Sequence, residues 1–213
     1  MQTDRWIELL ASQAEPVAAR RVAPLMWRLL PWGLAGALAL MLTGYGLRHD
    51  LRAVLLMPMF WLKVGAPLAI ALAGLVLVGR LGRPGVRAGW AWWGVALPVL
   101  LLWLLGGWQW LATAPADRPP LLWGQTWRSC VFSIGLIGLP VFVAALALLR
   151  QLAPTQAAWA GAAAGALAGG AGASVYAWHC PEMTAPFLAV WYVLGMALPV
   201  LVGAWLGPRL LRW

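Results

Sequence analysis

Charge is scarce in this chain. Only 10% of its 213 residues are Asp, Glu, Lys or Arg, against about a quarter in an ordinary soluble domain. With 63% hydrophobic residues, the chain lacks the polar surface needed to cover itself in water, so a lipid bilayer is its expected solvent. Acidic residues number six and none falls within an apolar run, which leaves little material for acid–base catalysis. The patterns GxSxG, P-loop, HExxH and a GxGxxG opening a helix are absent, and no enzyme is expected. Cysteine and histidine occur twice each, without CxxC or CxxH spacing, so nothing resembles a compact zinc site. The first 28 residues are polar and lack the apolar core and small-residue cleavage site of a secretory signal, so the chain is expected to insert whole.

What the chain does have is arginine, tryptophan and apolar length. Net charge is +9 and the pI is about 11.3. No basic stripe interleaves with aromatics in a soluble segment, so direct nucleic-acid binding is not expected. The expected fold class is all-α: a polytopic membrane protein with a six-helix transmembrane bundle and a short amphipathic N-terminal cytoplasmic helix. Residues 1–28 form the arm, in which Trp6, Ile7, Leu9 and Leu10 recur at helical spacing and Pro16 closes the segment. Such a helix can lie on a membrane surface or cap the bundle, or it can dock a soluble partner. Residues 29–213 form the transmembrane domain, with spans at about 29–47, 53–79, 90–111, 129–149, 156–178 and 186–206, each near the ~20 residues a bilayer requires. Pro58, Pro67, Pro98, Pro140 and Pro199 lie inside these runs as expected kinks.

Sidedness follows from the basic residues. With the N-terminus inside, ten arginines lie on the inner side and four (Arg48, Arg52, Arg118 and Arg128) on the outer side, with Lys63 inside a span. The positive-inside bias places both termini in the cytoplasm, which in a bacterium means an inner-membrane protein. Membrane lipid is then an obligatory partner, and Trp27, Trp90, Trp108, Trp110, Trp123 and Trp127 sit where interfacial anchors belong. In the fifth span Gly161, Gly165 and Gly169 recur every fourth residue, a groove into which another backbone can settle. A helix of the same chain is the favoured occupant over a second copy; the oligomeric state is not set by the sequence.

Chemistry is concentrated in residues 176–182, YAWHCPE, which hold one of the two cysteines and one of the two histidines. Cys130 and Cys180 fall at the same outer face at similar depth. Three readings stay open: two buried small hydrophobes, a structural disulfide in an oxidising compartment, or a responsive pair that is oxidised or binds a soft metal. No resident cofactor is expected. Transient heavy-metal binding would fall on Cys130 and Cys180, with His179, Glu182 and His49 as further donors. Lys63 is the one charge within a span. It either snorkels outward or stays buried against helix carbonyls or a thiolate.

Taken together, DRWIELLA at 4–11 with Pro16 and Val17, FWLK at 60–63, WRSC at 127–130 with Pro140, the glycine-rich fifth span running into YAWHCPE, APF at 185–187 with Trp191 and Tyr192, and the terminal LRW at 211–213 resemble the NrsF family of six-helix inner-membrane anti-sigma factors. The TWRSC and HCPE blocks are the most specific. Met183 stands where that family usually has an acidic residue. The resemblance implies that a cytoplasmic extracytoplasmic-function (ECF) sigma factor is held at the membrane and released under stress, notably by heavy metals, with Cys130 and Cys180 as sensors. Two other readings of the residues are a membrane thiol–disulfide oxidoreductase and a small metal transporter. The first usually needs two cysteine pairs, and the second would show an inverted repeat or a midplane polar cluster.

Overall fold

The computed structural model describes residues 2–13 and 19–212; Pro16 lies outside the described residues, as do the side chains of Leu10, Arg20 and Arg21. Among the described residues there are helices and loops and no strands. The helix α1 spans Gln2–Gln13, and Trp6, Ile7 and Leu9 on it are exposed. Then come α2 (Ala19–Leu40), α3 (Pro58–Leu81), α4 (Trp93–Ala112), α5 (Trp127–Arg150), α6 (Ala157–Tyr176) and α7 (Val193–Leu210). Two π-helical turns are spliced in, Met41–Tyr45 after α2 and Leu188–Tyr192 before α7.

The apolar runs and these helices correspond, but two starts differ from expectation. The helix of the first apolar run begins at Ala19, not near residue 29. Arginines end an apolar run without ending a helix, because Arg has good helix propensity. The second begins at Pro58, not near residue 53, after Met57 in an extended conformation (φ −93°, ψ 125°). Pro58 therefore starts the helix and does not kink it: without an N–H, proline suits the first turn, where that donor would lack an intrahelical partner. The residues before it form a separate short helix, Leu51–Val54.

Among the described residues, five helical stretches are long and apolar enough to cross a membrane: Val22–Tyr45, Pro58–Leu81, Gly89–Ala112, Pro115–Arg150 and Ala185–Leu210. The helix α6 is also long but consists largely of alanine and glycine, which makes it less apolar. It is the hub of the bundle. Every residue from Ala160 to Tyr176 is buried, and α7, α3 and α5 pack around it. Each neighbour lies against glycine. A Cβ on Gly165 would run into the backbone of Pro199 and Val200 in α7; one on Gly170 would lie 2.6 Å from the Pro67 oxygen in α3; one on Gly172 would lie 2.5 Å from the Ile134 oxygen in α5. Gly161 faces Gly203, and Gly169 faces Met196, so α7 of the same chain occupies the stripe of fourth-residue glycines. Close backbone approach of this kind lets dispersion contacts hold helices together where water supplies no hydrophobic drive.

Candidate functional site

At one end of the bundle α6 gives way to residues 177–184. Cys180 N–H still donates to the Tyr176 carbonyl (3.0 Å), and Pro181 then blocks further helix. This segment is tied to three neighbouring elements. From α3, the Lys63 ammonium donates to the carbonyls of Cys180 and Glu182, each at 2.6 Å. Lys63 is completely buried, and its nitrogen lies 5.5 Å from the centre of the Tyr192 ring. Lys63 is thus enclosed by the protein, and its acceptors are carbonyls of the segment after α6, not those of a helix. From the loop after α2, the Arg48 backbone N–H donates to Trp178 (3.1 Å), and its guanidinium donates to the Cys180 carbonyl at 3.1 Å and meets the Met183 sulfur at 3.7 Å. The same guanidinium forks onto Asp50, Nε to Oδ1 at 2.6 Å and Nη2 to Oδ2 at 2.8 Å. This bidentate pair raises the Arg48 pKa, against burial that lowers it, and draws the Asp50 carboxyl below its ordinary range.

The third tie runs to α5. Glu182 Oε1 accepts the backbone N–H groups of Gln125 (2.6 Å) and Thr126 (3.2 Å) and the Thr126 hydroxyl (3.4 Å). A carboxylate here satisfies donors at the start of a helix and meets the positive end of its dipole. Gly124, at φ +52°, completes the seat, because a Cβ there would fall 2.5 Å from Glu182 Oε2. The expected metal donor is thus spent on capping.

His179 Nδ1 donates to the Gly46 carbonyl (3.1 Å), and its ring lies 5.2 Å from that of Tyr45 and 5.8 Å from that of Tyr176. His49 is exposed and makes none of these contacts. No group of three or more His, Cys, Asp or Glu side chains placed to hold a metal ion occurs among the described residues. What the site offers a soft ion is two thiols. Cys130, in the first turn of α5, and Cys180 are both free and fully buried, so no disulfide joins them here. Cys180 Sγ lies 3.9 Å from the Thr126 hydroxyl, and Thr126 also takes the Cys130 N–H on its carbonyl (2.9 Å). The Tyr192 hydroxyl is buried without a hydrogen-bond partner among the described residues. Two buried thiols fall short of the four ligands of an ordinary zinc site.

Cys130, Cys180, His179, Glu182 and Lys63, all marked by the sequence, meet here. The sequence alone does not mark Arg48, which reads there only as an outer charge, or Thr126 and Tyr45. A usable signal was present: the chain has three tyrosines, Tyr45, Tyr176 and Tyr192, and all three surround this site. The arm residues Trp6, Ile7 and Leu9 and the glycine stripe belong to other parts of the molecule.

The two blocks TWRSC and HCPE are therefore the two halves of one hydrogen-bonded unit. Residues 10–213 match the family described as NrsF, negative regulator of sigma F. A probable anti-sigma-F factor NrsF of Azospira oryzae is 44% identical over 213 residues, and the anti-sigma-F factor NrsF of Caulobacter vibrioides is 40% identical over 221 residues; each alignment covers the whole of both chains. No solved structure matches the chain. A match over nearly its full length, with relatives that are regulators by name, shows that the chain belongs to the NrsF family of negative regulators of sigma F.

Proposed function

We propose that this protein is a six-span anti-sigma factor of the bacterial inner membrane. It holds an ECF sigma factor on the cytoplasmic side and releases it when a heavy metal or an oxidant modifies Cys130 and Cys180. One observation carries this reading: both cysteines are built into a single buried polar unit at the end of the bundle opposite the arginine-rich loops. At that other end Gly85 N–H reaches the Thr155 hydroxyl (3.3 Å), and Arg80, Arg83, Arg87, Arg150, Arg209 and Arg212 cluster in sequence around the turns and the C-terminus. That charge bias orients this end, and with it both chain termini, toward the cytoplasm. Five stretches suit a bilayer by length and apolarity; α6 crosses as the sixth span, screened from lipid by its neighbours.

The partner-facing surface is the arm. Its exposed Trp6, Ile7 and Leu9, with Leu10, make the apolar face of an amphipathic helix suited to a groove on a soluble protein. Thiol modification cannot act on the arm directly. It shifts the bundle between two packings, and the arm responds. The names of the relatives favour this reading over an oxidoreductase or a transporter.

The test is a sigma-dependent reporter in cells carrying Cys130→Ser or Cys180→Ser. Each variant is expected to repress normally and to lose induction by metal. Normal induction in both would overturn the sensing role. Co-purification with the sigma factor, expected for the full chain and lost on removal of the arm helix α1, residues 2–13, tests the docking role separately.

A further inference from the structure

Both proposed sensor thiols are inaccessible: Cys130 and Cys180 have no exposed surface. Something must therefore govern their uncovering, and Glu182 is placed to do it. It lies two residues beyond Cys180, and its backbone carbonyl is fixed by Lys63 at 2.6 Å. Its side chain crosses to α5 and caps the helix four residues before Cys130. One residue thus grips the Cys180 segment through its main chain and the Cys130 helix through its carboxylate. The only ion pair among the described residues near this site is Arg48–Asp50, so the Glu182 charge rests on amide and hydroxyl donors and on the helix dipole. Charge-assisted bonds of this kind are strong, but this set is lost together if the carboxylate leaves its seat. The seat is made for it, since a side chain at Gly124 would occupy the same space.

We propose that Glu182 is the positioning residue that keeps both thiols covered and makes them open as one unit. When its carboxylate lets go, the first turn of α5 and the Cys180 segment loosen together, and both thiols become reactive. The inference takes from the proposed function only that these thiols are the sensing groups.

The experiment follows the rate at which N-ethylmaleimide modifies each thiol in membranes containing the full-length protein, with the other thiol replaced by serine. Glu182→Ala is expected to speed both reactions about tenfold, as loss of a charged cap should. Glu182→Gln keeps an acceptor oxygen and is expected to bring both rates back to within about threefold of the parent. A structural role confined to the Cys180 segment would speed Cys180 alone, and that result overturns the inference, as do unchanged rates. Should Glu182→Ala fail to accumulate, Gly124→Ala displaces the carboxylate from the other side. The same paired acceleration is expected from it, and parental rates at either thiol would overturn the inference. The sigma-dependent reporter separates the two claims. Faster paired labelling with repression intact leaves the role of Glu182 standing and counts against coupling of the thiols to the partner.

Discussion

The helices α4 and α6 have the same length, 20 residues, and neither carries a charge, yet they occupy opposite environments. Along α4 only Leu102 and Gly106 are buried, and Leu104, Trp108 and Leu111 are more than 70% exposed. From Ala160 onward α6 is wholly enclosed. The more apolar helix faces outward and the less apolar one forms the core. In water that order would be reversed. It is the order expected where the surroundings are hydrocarbon: burial then gains nothing from greasiness, and the core goes to the helix whose small side chains permit the closest approach.

Adding bulk to α6 should therefore have the largest effect. In Gly165→Leu the first side-chain carbon already meets main-chain atoms of Pro199 and Val200, and main chain cannot rotate aside as a side chain can. The expected cost is about 3 kcal/mol or more, seen as loss of monodisperse protein in detergent. A variant that assembles and melts like the parent would show that α6 is not the enclosed helix. Next comes Lys63→Met, which removes the donor to the Glu182 carbonyl, while the Cys180 carbonyl keeps Arg48. Leaving a buried carbonyl without a donor costs about 2 kcal/mol, partly offset by removing a buried charge. A lowered thermal midpoint is expected, together with faster labelling of Cys180. A midpoint equal to or above the parent's would mean that the ammonium is a burden the fold tolerates, not a tie.

The contrast between these helices was partly legible in the sequence. Gly161, Gly165 and Gly169 mark a close approach, and each apolar run contains a long helix, although the run from residue 53 is broken before Pro58. The helix starts were less legible: Arg20, Arg21 and Arg28 interrupt apolarity but not helicity, and Pro58 reads as an interior kink until Met57 is seen to be extended. At the site, the gathering of unusual residues in 176–182 was visible, but their tasks were not. Glu182 looks like a metal donor because a carboxylate is defined in sequence by its chemistry. Its actual partners are backbone amides more than fifty positions away, and backbone amides leave no trace in residue identity. Arg48 was hidden for a similar reason, since its acceptor is the main-chain oxygen of Cys180.

The Arg48–Asp50 pair tests whether the site end depends on surface charge as well as on buried ties. Asp50 has its carboxyl held below the ordinary range by the hydrogen bond from Arg48. A carboxylate with a depressed folded value contributes above its unfolded value, and that contribution is lost as pH falls through the folded one. The difference in thermal midpoint between the parent and Asp50→Asn should therefore be constant near neutrality and shrink below about pH 4. Because Asp50 is exposed, the difference should be small and should fade in high salt. A gap that persists unchanged in acid would mean that the pair contributes through shape and not through charge.

The smallest effect is expected on the outer face of α4. Leu104 is 71% exposed, and truncation to alanine removes atoms that touch little of this chain. In a bilayer the lost methyl groups are replaced by lipid of the same polarity, so neither a cavity nor a transfer cost arises, and the change should stay within about 0.5 kcal/mol. Repression of the sigma-dependent reporter should be unaltered. The comparison between the two helices turns on this null. If Leu104→Ala lowers the thermal midpoint as a buried leucine would, by the equivalent of about 2 kcal/mol or more, the exposed face of α4 is covered in the working protein by a second polypeptide. Its apolarity would then mark an interface, and only α6 would still distinguish enclosure from contact with lipid.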